Sequence, residues 1–115
     1  MDDEDCTIAQ IGAFLEDATA RRILAETSRE PMSAESLSEA AGASKPTIYR
    51  RVNELRECDL LVERTRPDPE AGHHHTVYAT DLERIIVELS ERGFAFDIER
   101  REGMAARFTR LVEEM

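Results

Sequence analysis

The stretch SAESLSEAAGASKPTIYRRVNELRECDLLVERTR, residues 33–66, decides how the rest of the chain is read. It predicts two short amphipathic helices. The first covers about residues 34–41 with Ser33 as N-cap, because a serine hydroxyl accepts from the free amides of a first turn. The second covers about residues 45–58 with Ser44 as N-cap. Gly42 stands where the first helix must end, at a position that suits positive φ. A helix, a short turn containing glycine and a second helix form the helix-turn-helix pattern.

The second helix has two faces. Ile48, Val52 and Leu55 recur at i, i+4 and i+7 and form the buried stripe. Lys45, Pro46, Thr47, Tyr49, Arg50 and Asn53 lie off that stripe, near the N-terminal end. Groups of these kinds hydrogen-bond base edges, pair with phosphates or touch a thymine methyl. A recognition helix offers its N-terminal residues to the major groove. For Tyr49, contact with DNA and capping of the core stand level.

Upstream, residues 2–5 are four acids in a row and read as a frayed arm. Ile8, Ile11 and Leu15 then form a short helical stripe, and Asp17 is a good N-cap for a helix over about residues 18–28. On that helix, an ion pair of Arg21 or Arg22 with Glu16, Asp17 or Glu26 is favoured over a phosphate contact. Pro31 breaks the chain before the helix-turn-helix.

Downstream, residues 60–66 read as a strand, residues 67–72 as turn chemistry rich in Pro and Gly, and residues 73–80 as a second strand. Two strands in that place make a wing. In residues 81–100, Ile85, Val87 and Leu89 alternate, as do Phe94, Phe96 and Ile98 around a turn at residues 91–93. A second hairpin with one apolar face is favoured. The competing reading is a helix over residues 82–92, since Leu82, Ile85, Ile86 and Leu89 also fit a helical repeat. In the tail, Met104, Phe108, Leu111, Val112 and Met115 fall at i, i+4, i+7, i+8 and i+11. Such a helix must bury its stripe, on its own domain or on a second subunit.

At 115 residues the chain is one domain, or one domain with an appendage. No apolar run is long enough for a membrane span, and the N-terminus lacks the pattern of a signal peptide, so a cytoplasmic location is expected. Cys6 and Cys58 fit a reducing compartment better than a disulfide scaffold, with small buried residues as the plain reading. The charge is unusual: 25 acids against 15 bases give −10. That opposes a polyanionic ligand. However, residues 44–66 hold six bases and four acids, which is +2, leaving −12 for the remainder. The basic residues are 14 arginines and one lysine, Lys45, a composition that resembles the acidic, lysine-poor proteins of extreme halophiles.

The segments FLEDATARRIL (residues 14–24) and SAESLSEAAGASKPTIYRRVNELRECDLLVER (residues 33–64) resemble the winged helix-turn-helix regulators of the ArsR-like group, in a haloarchaeal style. The following wing, ending VYAT, and the tail GMAARFTRLVEEM extend the likeness. It covers residues 7–80 well and the rest loosely. The resemblance implies a homodimer on a palindromic operator, with recognition helices about 34 Å apart in successive major grooves. By position it implies Ser44, Lys45, Pro46, Thr47, Tyr49 and Arg50 as recognition-helix contacts, with Arg51 and Asn53 beside them. Arg64, Arg66, His73, His74, His75 and Thr76 would belong to the wing. Metal-sensing members often carry two thiols in the first helix of the motif. Here that helix has none, so metal sensing there is not expected.

His73, His74 and His75 also invite a metal reading. Two imidazoles on one strand face, with no third donor at fixed spacing, fall short of a site. Thiol sensing by Cys6 or Cys58 is disfavoured by their acidic neighbours. No catalytic constellation or phosphate loop is present, so an enzyme is not expected and no cofactor is indicated; a small-molecule effector is left open, with a ligand or metal sensor at residues 73–75 as a weaker reading.

The expected fold is therefore α+β and mostly α: an acidic arm (residues 1–6), a winged helix-turn-helix (7–80), and a hairpin plus C-terminal helix (81–115) for packing or dimerisation. The expected function is sequence-specific regulation of transcription on double-stranded DNA. Ile8, Ile11, Leu15, Met104, Phe108, Leu111, Val112 and Met115 are the candidate dimer residues. An acidic winged-helix module that binds a protein of the transcription apparatus is the alternative.

Overall fold

The computed structural model describes residues 6–68, 70 and 73–101. Four helices lead into two antiparallel hairpins: α1 (Ile8–Glu16), α2 (Ala18–Arg29), α3 (Ala34–Ala41), α4 (Lys45–Glu57), β1 (Leu61–Asp68), β2 (His73–Thr80), β3 (Leu82–Ser90) and β4 (Gly93–Arg100). This is an α+β fold, mostly helical, with the arrangement of a winged helix-turn-helix.

Local chemistry starts each helix. Thr7 and Gln10 form a reciprocal capping box: Gln10 N donates to Thr7 Oγ1 at 3.1 Å and Thr7 N to Gln10 Oε1 at 2.8 Å. Asp17 caps α2 by accepting from Ala20 N at 2.8 Å. Ser33 and Ser44 cap α3 and α4, and Pro46 sits in the first turn of α4, where its missing N–H costs nothing. Gly42 ends α3 in the left-handed region, φ 66°, and its amide donates to Ser38 O at 2.9 Å.

The core is one cluster. Ile11 and Phe14 of α1, Ala20 and Ile23 of α2, Leu37 of α3, and Ile48, Val52 and Leu55 of α4 close on Leu60, Leu61, Tyr78 and Ile98. Thr27 and Thr80, both buried, meet through their hydroxyls at 2.7 Å and join α2 to β2.

Three expectations change, and the second hairpin forms as favoured. The helix α4 stops at Glu57, and Cys58 is its C-cap. The strand β1 runs on through Pro67 and Asp68, pairing with His74 and His73, where turn chemistry was expected. A two-stranded sheet has outer edges on which proline forfeits no ladder bond. Residues 82–100 form the hairpin and not the helix, with Ile85 opposite Ile98, Val87 opposite Phe96 and Leu89 opposite Phe94. Finally, Cys6 and Cys58 are not separate thiols. Both are buried and joined in a disulfide. Packing of the residues before α1 against the end of α4 brings their Cα atoms to 5.1 Å, within bridging range, which no count of sequence spacing could show.

The hairpin β3–β4 docks on the end of α4. Arg100 donates from Nη2 to Cys58 O at 2.8 Å and from Nε to Asp59 O at 3.0 Å. Asp59 itself takes positive φ, 58°, a conformation its short polar side chain tolerates. The expected C-terminal helix lies outside the described residues.

Candidate nucleic-acid interface

The first two turns of α4 are held by their cap. Ser44 Oγ accepts from Thr47 N at 3.4 Å and donates to Thr47 Oγ1 at 3.1 Å, and Arg50 Nη2 donates to Thr47 Oγ1 at 3.4 Å. Ile48, Val52 and Leu55 are fully buried, which fixes the rotation of the helix about its axis. Ser44, Lys45, Pro46, Tyr49, Arg50 and Asn53 are consequently exposed, and Thr47 is half-buried.

Among the described residues the two cations of that face have no acidic partner. Among the described residues Lys45 makes no hydrogen bond or ion pair, and the hydrogen bond of Arg50 is to Thr47. In a chain with 25 acids this leaves both charges available to a ligand.

Arg51 behaves differently. Its Nε lies 3.0 Å from Asp17 Oδ2 and its Nη1 3.3 Å from Glu54 Oε1, so it points along the body towards the N-cap of α2. The capping amide of Ala20 holds the Asp17 carboxyl below its ordinary range, and Arg51 deepens the shift. The helical spacing carried the signal, since Arg51 falls three residues after Ile48 and four before Leu55, on the rim of the buried stripe. Nearby, Arg22 pairs with Glu26 at 2.9 Å, and Arg21 donates to Leu15 O at 2.8 Å. Neither bond is to a neighbour outside the helical body.

Tyr49 is 48% exposed and lies near Tyr78, whose hydroxyl is pushed up by burial and further by Glu63. Glu63 also pairs with Arg56 at 2.8 Å, tying the end of α4 to β1.

On β1–β2, Arg64 faces Val77 and Arg66 faces His75, so both arginines share one side of the hairpin. Arg64, Arg66, His75 and Thr76 are exposed. Arg66, His75 and Val77 line a groove of about 240 Å³ with Met32, Ser33, Glu35 and Ser36 at the start of α3. The side chains of His73 and His74 lie outside the description. Among the described residues no three His, Cys, Asp or Glu gather as metal ligands.

Residues 15–64 match the family model of a helix-turn-helix domain. The match spans α2, α3, α4 and the first half of β1, the segment that builds the exposed face above. None of the curated proteins compared matches the chain.

Among the candidate dimer residues, Ile8 and Leu15 are 41% and 50% exposed, whereas Ile11 is 2% exposed and belongs to the core. Met104, Phe108, Leu111, Val112 and Met115 lie outside the described residues. Among those described, no helix is long and apolar enough to cross a membrane.

Proposed function

We propose that the chain is a sequence-specific DNA-binding regulator of transcription, of the ArsR-like, haloarchaeal type, acting as a homodimer on an inverted repeat. The observation that carries this reading is the exposure of Lys45 and Arg50, neither paired with an acid among the described residues, at the N-terminal end of α4. In this reading α4 enters the major groove. Ser44, Lys45, Pro46, Thr47, Tyr49, Arg50 and Asn53 face the duplex, and Arg64, Arg66, the three histidines and Thr76 touch the backbone or the next minor groove. Arg51 is a positioning residue. The exposed Ile8 and Leu15 of α1, two turns apart on one face, supply the described part of the dimer surface.

The net charge of −10 fits a saline cytoplasm. At molar salt the screening length is only about 3 Å, so the acidic body repels DNA little. Displacing about six counterions would cost roughly five decades of affinity per tenfold rise in salt, which puts the weight on short-range base contacts.

The test is selection of bound duplexes from a random pool by the full chain in molar potassium chloride. Enrichment of a short inverted repeat with half-sites one turn apart supports the reading. A pool that stays random, with a transcription protein captured from the cell instead, overturns it.

A further inference from the structure

The hairpin β3–β4 has one apolar face and one charged face. On the first, Ile85, Val87 and Leu89 stand opposite Ile98, Phe96 and Phe94. The second carries Arg84, Glu88, Asp97 and Glu99, with Arg84 Nη2 2.8 Å from Glu99 Oε1. Exposure rises along the apolar face: Ile98 is 7% exposed, Val87 48%, Phe94 67% and Leu89 68%. The base of the face is therefore core, and its outer half is open to solvent. A two-stranded hairpin is marginal in water unless its apolar face packs on something.

We infer that the outer half of this face seats a second copy of the chain, hairpin face against hairpin face about a twofold axis. Area, charge and shape select that occupant. Val87, Leu89 and Phe94 expose on the order of 300 Å², and the half-buried Ile85 and Phe96 raise the patch to roughly 400 Å². A standard interface takes about 800 Å² from each partner, a little over half of it apolar. The patch thus supplies about the apolar share that one partner brings, and the exposed Glu91 and Arg92 at the tip begin its polar rim. Ile8 and Leu15 of α1, two aliphatic side chains 41% and 50% exposed, offer less.

Charge points the same way. The chain carries −10, so two copies repel wherever their charged surfaces meet. The six paired residues of the apolar face bear no charge, so two copies can close there without setting like charges against each other. A strongly charged partner finds nothing on that face to pair with. Shape agrees as well. An uncharged apolar face is its own complement, as a contact between two identical surfaces requires. Two copies of one hairpin also share one twist, and twisted sheets pack face to face about 10 Å apart with their side chains interdigitating.

This contact names the surface of the proposed homodimer and rests on that reading; it makes no use of the DNA contacts. Sedimentation of the full chain in molar potassium chloride should show a dimer. Leu89→Asp, at an exposed tip position, should raise the dissociation constant by roughly a hundredfold, since an unpaired charge would have to be buried twice, while far-UV circular dichroism shows the fold retained. Phe94→Ser repeats the measurement should Leu89→Asp fail to fold. A dimer that persists unweakened in the folded variant overturns the inference and leaves the homodimer standing on another surface. A wild type that is monomeric at every concentration overturns both.

The chain contains no tryptophan, so a single introduced one reports on the face itself. Phe94→Trp should emit blue-shifted in the dimer and turn red on dilution to the monomer, whereas Ala95→Trp, on the charged face, should be red throughout. A Phe94→Trp signal that is red in the dimer overturns the inference. One that stays blue at every dilution also overturns it, because the face is then covered within a single chain.

Discussion

Arg51 Nε lies 3.0 Å from Asp17 Oδ2, joining the middle of α4 to the N-cap of α2 across 34 residues of chain. Asp17 does two things at once: it caps α2 through Ala20 N at 2.8 Å and it anchors α4. The pair is partly shielded, with 28% and 30% side-chain exposure. The helix α4 is thus set against its neighbour by a charge pair as well as by Ile48, Val52 and Leu55.

Asp17→Asn separates these two roles, because asparagine caps a helix as well as aspartate. Loss of the ion pair alone should lower stability by roughly 0.5–1 kcal/mol, the range of partly exposed pairs. A double-mutant cycle with Arg51→Ala, read by urea unfolding, gives the coupling. Zero coupling would make the contact a geometric coincidence.

The same pair sets a pH dependence. The Asp17 carboxyl is held low in the folded chain by the Ala20 amide and then by Arg51. A depressed folded pKa means that its contribution is complete above the ordinary carboxylate range and is lost as pH falls through that range and below. Wild type should therefore lose more stability than Asp17→Asn on acidification below about pH 4. Parallel melting curves for the two across that window would contradict it.

Arg50→Ala and Lys45→Ala should weaken DNA binding in different ways. On the proposed reading Arg50, held by Thr47, contacts the backbone: its loss should weaken all sequences alike and reduce the salt slope by about one. On the same reading Lys45, at the first turn, meets base edges: its loss should change sequence preference, costing about 1–3 kcal/mol at one base position. Equal losses on every base variant would remove that division of labour. Arg51→Ala should leave sequence preference intact.

What the sequence made legible was whatever repeats locally. Ser33, Gly42 and Ser44 mark the motif because caps and left-handed positions act within four residues. Leu89 and Phe94 mark the second hairpin because alternation and a turn are local too. The fates of Arg51 and the cysteines were decided at a distance. Arg51 stood beside Arg50 in the string, but one residue of helical rotation turned it from the exposed face to Asp17. Cys6 and Cys58 met because the residues before α1 lie against the C-cap of α4. Ile11 was expected at a subunit surface with Ile8 and Leu15, but it faces inward, because α1 presents its stripe edge-on.

The Cys6–Cys58 bond closes a loop between residues separated by 52 positions and ties the chain before α1 to the C-cap of α4. By chain entropy a loop of that size contributes up to about 4 kcal/mol, and native bridges in small domains about 2–5. Thermal melting with and without a dithiol reductant should show the oxidised chain the more stable, and Cys6→Ser should match the reduced form. Equal melting temperatures would show that the bond constrains nothing the fold does not already hold.

Two glycines should respond to alanine with opposite signs. Gly42 ends α3 at φ 66°, and although nothing lies within 4 Å of an added Cβ, an L side chain is strained in that backbone conformation whatever the space. Gly42→Ala should cost about 1–2 kcal/mol. Gly12 lies inside α1 on its exposed side, again with nothing within 4 Å of an added Cβ and with ordinary helical φ. There alanine removes only the backbone entropy that glycine loses on folding, so Gly12→Ala should stabilise by roughly 0.5–1 kcal/mol. Denaturant midpoints of the two variants against wild type decide the matter. If both moved the same way, backbone conformation would not be the cause, and the left-handed end of α3 would have to be held by the Gly42 amide bond to Ser38 rather than by the absence of a side chain.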